Sequence, residues 1–173
     1  MPLKKPEDIP KIPKTRKKRP EAAKAAIPQK KEDKIEYVCK PAFKYDETLR
    51  KLFYLVRLET IAEFTSFAYE ISVDSHIDRK EREIEITILG LQTNMSYLPN
   101  IARAKADCLF EDLIGEYTVH VIKQDGAINS AVFNFNIYKK EIKLVEKFMP
   151  PKKNNRLFCD FEVDESEFSF PQE

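Results

Sequence analysis

Beyond residue 36, apolar and polar residues alternate with a period of two through much of the chain, most clearly from Gly115 to Val145. Tyr117, Val119 and Val121 alternate with Thr118 and His120. After Asp125-Gly126, Ala131, Phe133, Phe135 and Ile137 alternate with Val132, Asn134, Asn136 and Tyr138. Successive side chains of a strand point to opposite faces, so the pattern predicts a hairpin with its phenylalanines on a buried side and its asparagines turned outward. The connection, residues 123–129, is longer than a two-residue turn and leaves the register open. Phe67, Tyr69, Ile71 and Val73 share one phase, while Ile84, Ile86 and Ile88 alternate with Glu83, Glu85 and Thr87. These two runs, separated by a polar turn, predict a second hairpin. Ala102, Ala104, Ala106, Cys108 and Phe110 alternate with Arg103, Lys105 and Asp107, and their small side chains predict a strand closely approached by a neighbouring layer. Leu157, Cys159, Phe161 and Val163 mark a last strand.

Two segments read less simply. Tyr37, Val38 and Phe43 suggest a short extended lead-in, which Pro41 assigns to a sheet edge because it offers no N–H to a ladder. Next, Asp46 is placed to cap one short helix carrying Leu49, Leu52, Phe53 and Val56 at i, i+3, i+4 and i+7. Leu52, Tyr54, Val56 and Leu58 also alternate, which makes a strand the competing assignment. Six or seven short strands at spacings of about ten residues predict a mostly β protein, an antiparallel β-sandwich. Asp112, Gly115 and Tyr117, standing just before Val119, resemble the tyrosine corner of immunoglobulin-like sandwiches, although the Asp-to-Gly spacing is one residue longer and the chain has no Trp. That resemblance implies an immunoglobulin-like topology and names no function.

Charge divides the chain into three. Residues 1–35 hold twelve Lys/Arg against five Asp/Glu, a net of +7. Residues 160–173 hold six acids and no base, and the whole chain is +1. Pro2, Pro6, Pro10, Pro13, Pro20 and Pro28 interrupt helix and sheet alike, so residues 1–36 are expected to form a disordered or extended basic arm. Residues 37–163 form the β-sandwich domain, and residues 164–173 an acidic tail that frays into solvent. No apolar run approaches the roughly 20 residues needed to span a bilayer as a helix, which leaves peripheral membrane contact as the form available. Three cysteines and a start without an apolar leader point to the reducing cytoplasm.

Catalytic and metal-binding patterns are absent from the sequence. The chain has two histidines, His76 and His120, and no HxxxH, HExxH, CxxC or GxSxG spacing. A zinc site from Cys108, Cys159 and His120 is disfavoured because the cysteines lie on apolar phases and His120 does not. Cys108 and Cys159 read as buried thiols; Cys39 sits close in sequence to the basic arm, which would lower the pKa of an exposed thiol, but neither exposure nor a resolving or basic partner is visible for it. Gly90, Gly115 and Gly126 lie too far apart to build a phosphate-cradling loop. No metal and no cofactor is therefore expected, and no enzyme.

The arm has the most definite physical consequence. Lys14, Arg16, Lys17, Lys18 and Arg19 fall within six residues, so an extended chain spreads its cations over about 20 Å, a spacing suited to a nucleic-acid backbone. Acidic protein and anionic lipid offer equivalent charge, and a merely solubilising tail is the plain alternative. The outward face of the main hairpin, with His120, Asn134, Asn136 and Tyr138, is a second candidate contact surface. The reading is a non-enzymatic structural or scaffold subunit of a larger assembly. Its body docks on protein subunits, and its arm anchors on RNA, DNA or acidic protein. The alternative is a recognition module that binds sugar or peptide on its exposed strand face.

Overall fold

The computed structural model describes residues 32–65, 68–93, 101–150 and 155–173; the basic cluster from Lys14 to Arg19 lies outside them. Nine strands form in chain order: β1 (Tyr37–Asp46), β2 (Lys51–Phe64), β3 (Tyr69–Asp78), β4 (Glu83–Thr93), β5 (Ala102–Phe110), β6 (Gly115–Ile122), β7 (Ile128–Asn136), β8 (Glu141–Phe148) and β9 (Cys159–Phe161). The period-two segments became strands with the expected phases, except that the last is only Cys159–Phe161, with Leu157 exposed before it, and Phe67 lies outside the described residues. Tyr117, Val119, Val121, Ala131, Phe133 and Phe135 are buried, as are Ile84, Ile86 and Ile88.

The main hairpin pairs Tyr117 with Phe133, Val119 with Ala131 and His120 with Ser130. Its loop closes through Gly126, whose φ of +85° suits a residue without a Cβ, and through Ala127 N donating to Asp125 Oδ1 at 3.0 Å. The second hairpin, β3 with β4, has its own bulge between Ser72 and Val73.

Three expectations change. The short helix is a strand: Asp46 Oδ1 does accept from Leu49 N at 2.9 Å, but it caps a turn, and Arg50 follows at φ +49°. Residues 51–64 then pair with β1 on one side and β5 on the other. The ladder on both flanks and the aromatic and β-branched side chains favour a strand, whereas a helix would have buried only one stripe. The two-sheet sandwich and the immunoglobulin-like topology are not confirmed. Hydrogen bonding runs through one nine-stranded sheet in the order β8-β7-β6-β4-β3-β5-β2-β1-β9, mixed rather than wholly antiparallel, and it curls into a nearly closed barrel. Finally, residues 162–170 run beside β1 rather than fraying. Glu162 N donates to Cys39 O and Ser169 N to Phe43 O, a 3₁₀ turn forms at Glu165–Glu167, and the rings of Phe168 and Phe170 lie 5.3 and 5.4 Å from that of Phe43. Pro41 falls two residues beyond the last β1–β9 pair, so β9 does not require its missing N–H.

The barrel interior is filled. Phe43, Leu58, Ile84, Ile86, Leu113, Val119, Phe133, Phe135 and Phe158 are all fully buried there. Phenylalanines and tyrosines meet edge-on or tilted, as in the Phe43–Tyr54, Tyr54–Phe135 and Phe133–Phe161 pairs.

β8 and β9, the two ends of the sheet, share no ladder; side chains from β7 and β8 reach the 156–160 segment instead. Asn129 Oδ1 accepts from Phe158 N at 2.8 Å and Cys159 N at 2.9 Å, and its Nδ2 donates to Arg156 O at 2.8 Å. Lys147 Nζ lies 2.7 Å from Asp160 Oδ1 across the same line.

Candidate functional site

The rim where β1 begins and where β2, β4 and β6 end carries the most concentrated chemistry. Residues 34–36 are fixed there by Lys34 N and Glu36 N donating to Leu157 O and Phe158 O, and by Ile61 N donating to Glu36 O. Arg156, almost fully buried, points its guanidinium to Glu36 at 3.6 Å and Asp125 at 3.3 Å, over the ring of Phe158. Lys123 pairs with Glu36 and stands 5.7 and 5.6 Å from the ring centres of Tyr37 and Phe158. Burial alone would push the Glu36 carboxyl up, but its hydrogen bond to Lys123 and the charges of Lys123 and Arg156 hold it below the ordinary value. Asp125 is likewise lowered: burial opposes ionisation, while Ala127 N–H and Arg156 favour it.

Two adjoining hollows, of about 440 and 400 Å³, open on this rim and share Tyr37 and Lys123. Around them Ile61, Leu89 and Leu91 are exposed, although each belongs to a strand. The rim thus combines exposed aliphatic side chains with ion pairs that bind Glu36, Lys123, Asp125 and Arg156 to one another. Tyr37 lines both hollows, and burial together with the Glu36 charge pushes its hydroxyl up.

The expected contact face is placed as follows. His120 Nδ1 lies 2.6 Å from Ser130 Oγ, and its Nε2 is 3.7 Å from Glu83 Oε1. Asn134 is half-buried on the outer side of β7. Asn136, the last residue of β7, accepts from Lys139 N at 3.1 Å and so caps the β7–β8 turn. Tyr138 belongs to that turn and is 89 % exposed, standing off the strand face rather than extending it. Structure therefore brings only part of the four-residue face together.

All three cysteines are buried and free. Burial pushes each thiol up, with Cys108 adding to the effect at Cys39 and Cys39 to that at Cys159. The inward phase of β1 puts the Cys39 thiol in the core, where burial raises its pKa. Sequence reasoning missed Arg156, Lys123 and Asn129. Asn129 left a signal, a polar residue on the inward phase of β7, but Arg156 left none.

Among the described residues, no group of three or more His, Cys, Asp or Glu side chains could hold a metal ion, and no helix is long and apolar enough to cross a membrane. The chain matches no family model, no curated protein and no solved structure.

Proposed function

We propose that this chain is a non-enzymatic structural subunit of a larger assembly. Its barrel docks on a protein partner through the rim around Ile61, Leu89 and Leu91, and its basic segment, Lys14 to Arg19, anchors on an anionic partner. The exposed apolar rim carries this reading. Three large aliphatic side chains around a hollow leave apolar area in water, and a partner would remove it. Residues 34–36 form one wall of that hollow. An extended arm gives up its ordering entropy on binding, yet covers much surface per residue.

The test separates the two contacts in the full chain. Replacing Lys14, Arg16, Lys17, Lys18 and Arg19 with Gln removes a salt-sensitive association and leaves the fold intact, because affinity for an anionic polymer falls steeply with salt in proportion to the charges engaged. Replacing Ile61 and Leu91 with Ser weakens the protein contact without changing its salt dependence. Co-purification that survives both sets of changes, before and after nuclease treatment, overturns the reading.

A further inference from the structure

Strand directions gather four turns at the end of the barrel opposite the rim. β2 runs antiparallel to β1 and β5, β3 runs parallel to β5 and antiparallel to β4, β6 runs parallel to β4, and β7 runs antiparallel to β6 and β8. The turns at residues 47–50, 79–82, 111–114 and 137–140 therefore share this end. Three of them are tied by the residue that precedes them: Asp46 accepts from Leu49 N, Asp78 from Lys80 N and Glu81 N, and Asn136 from Lys139 N. Turns held in this way present their tips in fixed positions. The tips carry Leu49, Ile114 and Tyr138, which are 64, 55 and 89 % exposed. Side chains protruding from separate turns are buried together by a broad apolar layer, not by a single peptide strand.

The same turns carry Arg50, Arg79, Lys80, Arg82, Lys139 and Lys140 against Glu47, Glu81, Glu111 and Asp112. None of these six cations forms an ion pair among the described residues, whereas Lys123 and Arg156 at the rim are both paired with carboxylates. Backbone geometry is an independent observation. Arg50, Arg82, Asp112 and Lys140, one in each turn, have φ of +49°, +57°, +53° and +52°. Glycine adopts this left-handed region freely, and long side chains are uncommon there. Three of the four positions nonetheless hold a long cation, a choice that backbone preference does not explain.

We infer that this end of the barrel docks on an anionic phospholipid surface, with Leu49, Ile114 and Tyr138 entering the boundary between headgroups and acyl chains and Arg50, Lys80, Lys139 and Lys140 meeting the phosphates. Apolar burial and attraction to an anionic leaflet act together in such contacts, and a tyrosine suits the headgroup level. A nucleic acid would engage the cations alone and leave Leu49 and Ile114 in water. Docking at this end keeps the rim around Ile61, Leu89 and Leu91 open to a protein partner.

Because the chain has no Trp, Tyr138→Trp supplies a single fluorescent reporter at one tip. The full chain with this change, and with Lys14, Arg16, Lys17, Lys18 and Arg19 replaced by Gln so that the basic arm does not dominate, is mixed with phosphatidylcholine vesicles, with the same vesicles containing phosphatidylserine, and with heparin. The expected result is a blue shift of the indole emission, and its quenching by lipids brominated on their acyl chains, with the anionic vesicles alone. Replacing Arg50, Lys80 and Lys139 with Gln weakens partitioning about 5-fold for each cation removed. Arg50→Gly relieves a left-handed position, so partitioning falls while the urea midpoint stays equal or rises. Leu49→Ser with Ile114→Ser changes exposed side chains, keeps the fold and lowers both partitioning and quenching. The proposal is overturned by no shift with either vesicle, by equal shifts with neutral and anionic vesicles, by the same shift with heparin, or by partitioning that Arg50→Gly and the two serine changes leave unaltered.

Discussion

The barrel wall has two weak lines, and they are treated differently. Along the first, β8 and β9 share no ladder, yet Asn129, Arg156 and Phe161 close the space. The Asn129 amide offers an acceptor to two backbone N–H groups and a donor to one carbonyl, much as a strand would. Along the second, β3 and β5 are neighbours in the sheet but share a single pair, Glu70 with Lys105, beside an open cleft of about 640 Å³. β5 faces it with Ala102 and Ala106, side chains too short to fill the gap. Ser75, in register with the buried Ile86, is exposed there. At its far end Arg79 donates to Glu111 O at 2.7 Å and Asp112 O at 3.2 Å. Where the ladder lapses, as between β8 and β9, side chains with complete sets of partners seal the wall instead.

If that contrast holds, changes on the β8–β9 line rank by how much buried material they remove. Phe161→Ala takes a ring from between β9 and Phe133, and is expected to cost about 4 kcal/mol in urea unfolding. Asn129→Ala strands two N–H groups and a carbonyl in a buried place and is expected to cost about 3 kcal/mol, with faster hydrogen exchange at Phe158 and Cys159. A smaller effect follows from acid. Glu36 and Asp125 have lowered pKa values in the folded chain, so their contribution is complete above the unfolded values, about 4.5 and 3.8, and is lost as pH falls through the folded ones. The urea midpoint of the parent should therefore drop more between pH 7 and pH 3 than that of Arg156→Gln. An equal drop in both would show that Arg156 does not hold these carboxylates. Lys147→Ala, between two partners that are each nearly half exposed, is expected to change stability by no more than about 0.5 kcal/mol. A loss as large as that of Asn129→Ala would mean the surface ion pair, and not the buried amide, joins the sheet ends.

Much of the barrel was legible residue by residue. The phases of β4, β5, β6 and β7 follow directly from alternation, because one face of each strand meets the core. β2 was legible in its alternation yet ambiguous, since its apolar residues satisfy both the helical and the strand period. Of the candidate contact face, the outward phase of His120 and Asn134 was readable, whereas the turn at residues 137–140 removed Tyr138 from it. The ion-pair cluster of Glu36 with Lys123 and Arg156 had no sequence signal, because Glu36 lies far along the chain from both and meets them only in the fold.

What the chain determines by itself is therefore local: which residues face inward, where Asp125-Gly126 and Asp46 turn the backbone, and that the cationic residues lead while the acidic ones trail. Strand order, the choice of one curled sheet over two stacked ones, and the return of residues 155–170 to seal the wall were decided by tertiary structure. The reason is that a period of two specifies a face but not a neighbour. The neighbour is selected by which buried rings interlock and which polar groups, such as those of Asn129 and Arg156, find every partner they need.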